Sequence, residues 1–310
     1  MWSRDLDIKE HGVEVMAPLN GPVAEQIAKH ISEVTNAPFQ IETQQSVSGG
    51  CINQAAKVSD RKRTFFIKTN HATQLAMFEA ERDGLQEMYD SRSIRVPQPL
   101  CCGVTHSLSY IVMEWLELGG GCSGGAWRRM GEQLAAMHKA TSTQGYGWHR
   151  DNTIGSTPQQ NQWCEDWVEF WRDRRLGPQF SLAHAKGGYF PRRDELMNAI
   201  PRLIGAHTPM ASLLHGDLWS GNAAITVEGE PVILDPATYY GDPESDLAMT
   251  ELFGRFPHEF YQAYDSVLPI ATAYRQRKVL YNLYHILNHY NLFGGSYESQ
   301  ANSMIAQILS

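Results

Sequence analysis

Apolar residues recur three and four apart along GPVAEQIAKHISEVTNAP, where Val23, Ile27, Ile31 and Val34 share one face, so this segment reads as an amphipathic helix ended by Pro38. The period then shortens. FQIETQQSV and CINQAAKV are strand candidates separated by Gly49 and Gly50, and a third strand, TFFIKTN, follows the polar turn SDRKR. A helical period returns in TQLAMFEAERDGLQEMY, with Leu75, Phe78, Leu85 and Met88 on one side, before VPQPLCCGV and LSYIVMEWLEL supply two more strands. The run GGGCSGGA at 119–126 reads as a flexible linker. Beyond it helical patterns dominate, in WRRMGEQLAAMHKAT, WCEDWVEFWRDRRL, RDELMNAIPRLI and RQRKVLYNLYHILNHYNLF. Short hairpin-like strands interrupt them near residues 213–235. The order predicts an α+β chain with an N-terminal extension (1–37) whose helix packs on a small antiparallel-sheet domain (38–117), followed by a mostly helical domain (118–310). A ligand site in a cleft between two such domains is expected.

Composition narrows the function classes. The chain of 310 residues carries a formal net charge of −8, which argues against a general nucleic-acid binder. It has no apolar run long enough to span a membrane. The opening MWSRDLDIKEHGVEV is charged and lacks the apolar stretch of a secretory signal. The five cysteines, Cys51, Cys101, Cys102, Cys122 and Cys164, are odd in number and form no CxxC pair, so a reducing cytoplasm is expected. The adjacent Cys101 and Cys102 read as packing residues.

The polar residues with the strongest pattern lie in apolar sequence. LLHGDLWSGNAAI (213–225) holds His215, Asp217, Trp219 and Asn222, and PVILDPA places Asp235 at the end of an apolar run. Phosphoryl transfer needs phosphates held, a divalent cation placed and a nucleophile oriented. Asp217 fits a base beside a substrate hydroxyl. Asn222 and Asp235 fit an Mg²⁺ site made of one neutral oxygen and one carboxylate. Each alone is commonly a turn, cap or strand-end residue, whereas the combination His-x-Asp-x-x-x-x-Asn with a later strand-end Asp is far more specific. Lys68, on an apolar strand, needs an anionic partner if buried. Glu81 is favoured over Glu79, and such a pair would hold nucleotide phosphates. Gly49 and Gly50 allow backbone N–H groups to approach phosphate, although hairpins use glycine anyway. No G-x-x-x-x-G-K-[ST] motif is present, so a P-loop fold is not indicated. Trp219 is either a stacking face for a sugar or a core residue. His285 and His289 lie one helical turn apart without the glutamate of a zinc-protease motif, so packing or substrate contact is expected, with Asn288 beside them.

The motifs LLHGDLWSGN, ILDPATYYGDPESDLAM, GGCINQA, FFIKTN and LNHYNLFGG resemble the fructosamine kinase (ketosamine-3-kinase) family, within the aminoglycoside phosphotransferase-like, protein-kinase-like fold. The resemblance covers roughly residues 38 to 310. It implies a two-lobed fold, with nucleotide bound by the small lobe and catalysis and substrate binding in the large one. By position it implies Asp217 as base, Asn222 and Asp235 as Mg²⁺ ligands, Lys68 and Glu81 as the nucleotide-phosphate pair, and a hinge at VMEWL. Glu114 and Leu116 would meet adenine through their backbones there, with Met113 at the gate. His215 and Asp246 would brace the catalytic loop, and Trp219, Asn288 and His289 would contact substrate. The implied reaction uses ATP and Mg²⁺ to phosphorylate the sugar 3-hydroxyl of a ketosamine, free or on a protein lysine, and so promotes deglycation. Pro236 after the metal aspartate argues against a protein kinase. Cys51 in the glycine loop is a candidate redox site that would link two chains by a disulfide, making the expected assembly a monomer or a redox-linked homodimer. The alternatives are a kinase of the same fold acting on an aminoglycoside, choline or homoserine, or an inactive kinase-fold scaffold.

Overall fold

The computed structural model describes residues 19, 21–47, 53–106, 108–121 and 124–310. Gly49, Gly50 and Cys51, together with Cys122 and the charged N-terminal segment, lie outside the described residues. The chain forms two compact units, one built from residues up to 86 with 97–119 and the other from 87–96 with 120–310. No helix among the described residues is long and apolar enough to cross a membrane.

In the first unit, helix α1 (Gly21–Thr35) precedes a five-stranded sheet, and α2 (Leu75–Ser91) starts after the third strand. The strands are β1 (Thr43–Val47), β2 (Gln54–Ser59), β3 (Thr64–His71), β4 (Pro99–Thr105) and β5 (Leu108–Glu114), in the antiparallel order β1-β2-β3-β5-β4. Ile27 and Ile31 of α1 are buried with Val58, Ile67, Tyr110 and Val112, and Val23 packs against them, so most of the expected apolar helix face covers one face of the sheet, while Val34 at its end is exposed. Because side chains alternate along a strand, Ile67 in that core sends Lys68 to the opposite face. The first strand candidate is trimmed at its apolar end: pairing starts only at Thr43, while Phe39 is buried in the core and Ile41 packs against it. The second is paired from Gln54 to Ser59.

In the second unit, α3 (Gly124–Met137) starts inside the stretch expected to be a linker. Gly120 is also packed, since an added Cβ would lie 1.9 Å from the Thr226 carbonyl oxygen. Tertiary packing overrides the glycine composition here: α3 lies against α8 (His258–Val267), and Gly131 lets the backbones meet, its Cβ position being 2.2 Å from the Phe260 oxygen. The hairpin β6 (Asn152–Ile154) with β7 (Thr157–Gln159) follows α3. The helix expected from residue 163 begins only at α4 (Trp167–Phe170), capped by Asp166, and runs through a π-helical turn, Trp171–Leu176, into α5 (Gly177–Ala185). Helix α6 (Arg193–Ile204) matches its expected bounds. Two short antiparallel pairs come next: β8 (Ser212–Leu214) with β11 (Tyr239–Gly241), and β9 (Ala223–Ile225) with β10 (Pro231–Ile233). Helices α7 (Pro243–Met249), α8, α9 (Tyr274–Phe293) and α10 (Tyr297–Ile308) complete the unit.

Candidate active site

The residues singled out in the sequence fall into two clusters, one in each unit. In the first unit Lys68 lies on β3 between β2 and β5, opposite Ala55 and Ile111. Its Nζ is 2.6 Å from Glu81 Oε1, and the two side chains keep only 9% and 11% exposure. The partner is therefore Glu81 of α2, while Glu79 acts on Arg82 and Cys102. Met113 is buried near the end of β5, and Glu114 donates its N–H to the Gln98 carbonyl at 2.9 Å. After Leu116, Glu117 accepts from Lys57 and from the Trp115 indole, both at 2.7 Å. Cys101 is buried and its thiol is pushed up to about 12 by burial, as a packing residue should be.

In the second unit, the buried apolar strand β8 delivers the chain to His215, and a short 3₁₀ turn at Ser220–Asn222 returns it to β9. The return places Asn222 against Asp217: its Nδ2 donates to the Asp217 backbone oxygen at 2.9 Å and to Oδ2 at 3.4 Å. Strand β10 leads to Asp235 through Leu234, whose N–H donates to the Asn222 carbonyl at 2.9 Å. Asp235 has φ +56, a left-handed conformation uncommon outside glycine and enriched at sites where structure fixes a side chain's direction. Gly216 has φ +81, and a Cβ there would meet the Ala237 oxygen at 2.1 Å, so glycine is required for the close approach of the two loops.

Asp246 braces this loop from α7. Its carboxylate accepts the backbone N–H of His215 at 2.7 Å and of Gly216 at 2.8 Å, and lies 3.2 Å from His138 Nε2. Burial alone would raise its pKa, but the His138 hydrogen bond and nearby donors outweigh it and hold the carboxyl below the usual carboxylate range. His215 accepts the Asp217 N–H on Nδ1 at 3.2 Å, so its proton sits on Nε2, which donates to the Leu234 carbonyl at 2.8 Å. Burial depresses the His215 pKa and keeps the ring neutral. Asp217 keeps 22% of its side chain exposed. Burial, then the charges of Asp235 and Asp246, push its pKa up to about 7.

This concentration of negative charge fits a cation. With the Asn222 amide nitrogen spent on Asp217, its Oδ1 is the atom left for a metal, and Oδ1 with the exposed Asp235 carboxylate is a hard-oxygen donor set suited to Mg²⁺.

Trp219 is 38% exposed, which overturns the core reading of this residue. It packs edge-on to Phe253, whose ring lies 4.5 Å from that of His289. The structure brings His289 to this aromatic cluster but not Asn288, which is buried, accepts from Gln179 at 3.4 Å and donates to the Ile154 carbonyl at 3.5 Å. Two histidines join the site that the loop motif did not point to. His138 braces Asp246. His285 is buried with its Nδ1 4.0 Å from Asp217 Oδ1, and burial lowers its pKa to about 3. The one signal for His285 was its spacing of four from His289. Arg175, from the π-helical turn, is fully buried against the Tyr239 ring at 4.0 Å and donates to Asn161 Oδ1 at 2.8 Å.

The family model described as fructosamine kinase matches residues 23–310. A probable ketoamine kinase of Synechocystis sp. is 52% identical over 293 residues, covering 94% of this chain and 99% of that protein. The chloroplastic protein-ribulosamine 3-kinase of Arabidopsis thaliana is 47% identical over 269 residues, covering 85% and 82%. A crystal structure of a fructosamine-3-kinase candidate from Haemophilus somnus superposes with a TM-score of 0.86 at 30% identity, covering 92% of this chain and 97% of that one.

Proposed function

The chain belongs to the fructosamine kinase family, with its two-lobed, protein-kinase-like α+β fold, and from that premise we propose that it is an ATP-dependent kinase of the 3-hydroxyl of ketosamines. The observation that carries this reading is the HGDLWSGN loop, in which Asp217 is fixed through Asn222 on one side and the Asp246-braced backbone on the other. Asp217 orients the sugar hydroxyl and takes its proton as the oxygen attacks the γ-phosphorus of ATP and the bond from that phosphorus to the β–γ bridging oxygen breaks, releasing ADP. Asn222 Oδ1 and the Asp235 carboxylate would hold Mg²⁺, which would supply charge neutralisation to the phosphates. Lys68, aligned by Glu81, holds nucleotide phosphate oxygens. The Glu114 N–H is engaged by Gln98, so adenine recognition there falls to the Glu114 carbonyl and the Leu116 N–H. Trp219 and His289 offer ring faces to the sugar. In the product the 3-phosphate lies beside the ketone, where enolisation toward the amine-bearing carbon expels phosphate and hydrolysis then frees the amine. Glycated protein lysines are included among the substrates, and the compartment is a reducing one such as the cytoplasm, where the free thiols of Cys101, Cys102 and Cys164 are stable.

The test is a coupled ADP-release assay with Mg²⁺·ATP and ribulose-lysine, fructose-lysine, kanamycin or choline. Turnover on the ketosamines alone supports the reading. Turnover on kanamycin or choline alone overturns the substrate, and no turnover on any of them points to an inactive scaffold.

Two variants separate the nucleotide and sugar sides. Lys68→Ala should raise the KM for ATP by about 10-fold, the equivalent of ~1.4 kcal/mol, with the ketosamine KM nearly unchanged. Gly221→Ala should do the reverse. A Cβ at Gly221 would lie 2.3 Å from the Trp219 ring, so the indole must move. The loss of one aromatic contact, ~0.5–1.5 kcal/mol, predicts a ketosamine KM raised about 3- to 10-fold. An unaltered ketosamine KM would remove Trp219 from the substrate site.

A further inference from the structure

The second unit holds a cavity of about 280 Å³ that the kinase reading leaves unused. Residues 141–144 form one rim, and Glu87, Trp148, His149, Trp163 and Tyr240 supply the rest. Glu87 accepts from Trp148 Nε1 at 2.6 Å on Oε2 and from the Tyr240 hydroxyl at 2.7 Å on Oε1. One donor on each oxygen fixes the carboxylate and leaves each oxygen able to accept another. Both donors are themselves fixed. Trp148 is buried, and Tyr240 exchanges backbone hydrogen bonds with Gly147 at 2.7 and 2.9 Å. The rings of Trp163 and Tyr240 stand 6.0 Å apart at 36°, forming a tilted aromatic wall. Among the lining residues Glu87 is the one carboxylate, and none is lysine or arginine.

A held carboxylate beside aromatic faces is the chemistry that takes an organic cation. The rings attract an ammonium through their quadrupoles, and the carboxylate adds the opposite charge. We propose that this cavity binds an alkylammonium group, supplied by a free amine or by a lysine side chain. The occupant sits against Trp163 and Tyr240 with its charge toward Glu87. None of the lining residues is one assigned to phosphotransfer, so occupancy is expected not to depend on ATP or on the sugar.

The test is calorimetric titration of the full chain, without nucleotide and at matched ionic strength. The probes are tetramethylammonium and n-butylammonium, their neutral counterparts tert-butanol and n-pentanol, and N-acetyl-lysine methylamide. Saturable binding of the cations but not of the alcohols is expected. Glu87→Gln and Trp163→Ala should each weaken it at least ~10-fold, while ADP release on ketosamine in both variants stays within about two-fold of the parent. A lysine derivative that binds as well as n-butylammonium identifies a side-chain ligand, and one that binds much more weakly identifies a free amine. Equal binding of cations and alcohols, wild-type affinity in both variants, or no saturation by any cation overturns the proposal and leaves Glu87 as a latch between Trp148 and Tyr240.

Discussion

Asp217→Asn is expected to lower kcat by ~10²- to 10⁴-fold, the contribution of a positioned general base, while ATP affinity is kept and the protein melts at a higher temperature. Asparagine matches aspartate in size and still meets Asn222, but it cannot take the hydroxyl proton. The gain in stability follows from the environment of the carboxylate. Burial, with Asp235 and Asp246 nearby, raises Asp217 from 3.8 to about 7 in the native state. The folded protein therefore holds this proton more tightly than the unfolded chain does. Stability falls as pH rises from about 4 to about 7 and stays reduced above that range, a cost the amide never incurs. The Tm advantage of Asp217→Asn should accordingly be larger at pH 8 than at pH 5. In the proposed reading a cation on Asn222 and Asp235 would offset the Asp235 charge, so in kcat/KM for ketosamine the acid limb is expected below 7 and should disappear in the variant. A kcat within ten-fold of the parent would remove Asp217 from the role of base, and an equal Tm at both pH values would contradict the raised pKa.

What the sequence revealed of this site reflects distance along the chain. Asp217 and Asn222 meet through a turn of five residues, so spacing alone brought them together. Lys68 and Glu81 lie thirteen apart, within reach of one strand and the next helix. His138 reaches Asp246 across 108 positions, and no local pattern marks it. The fold shows the same limit. Helix α6 has a clean apolar stripe, and its bounds were legible. Every residue of α7 is buried, so no polar face exists to give it a period. The Gly177-Pro178 pair follows the π-helical turn directly, and the helix continues through it into α5. The linker reading of 119–126 fails at Gly120, which packs against the Thr226 carbonyl, and from Gly124, where α3 begins; around Gly119 and Gly121 the space is open, and composition does not distinguish the two cases.

Asp246→Ala should also lower activity, but with the opposite effect on stability. Its carboxylate is 1% exposed and takes two backbone N–H groups together with His138. Truncation leaves the His215 and Gly216 amides buried without acceptors, at ~1–3 kcal/mol each. For a unit of this size the two together, ~2–6 kcal/mol, correspond to a Tm lowered by roughly 4–24 °C. The loop that carries Asp217 then loses its anchor, and displacement of a base by ~1 Å is enough to lower kcat by ~10²-fold. Asp246→Asn should fall between, since its amide oxygen still accepts while its NH₂ group faces a donor. The sign with pH is also fixed. The native pKa of Asp246 lies below 3.8, so its stabilisation is present above about pH 4 and is lost as pH falls through the native value. The Tm deficit of the alanine variant should therefore narrow in acid. Base and brace are thus separable by one pair of measurements: both variants lose turnover, but Asp217→Asn gains thermal stability and Asp246→Ala loses it. A stable, inactive Asp246→Ala protein would mean that the loop is held by other contacts and that Asp246 acts more directly in the reaction.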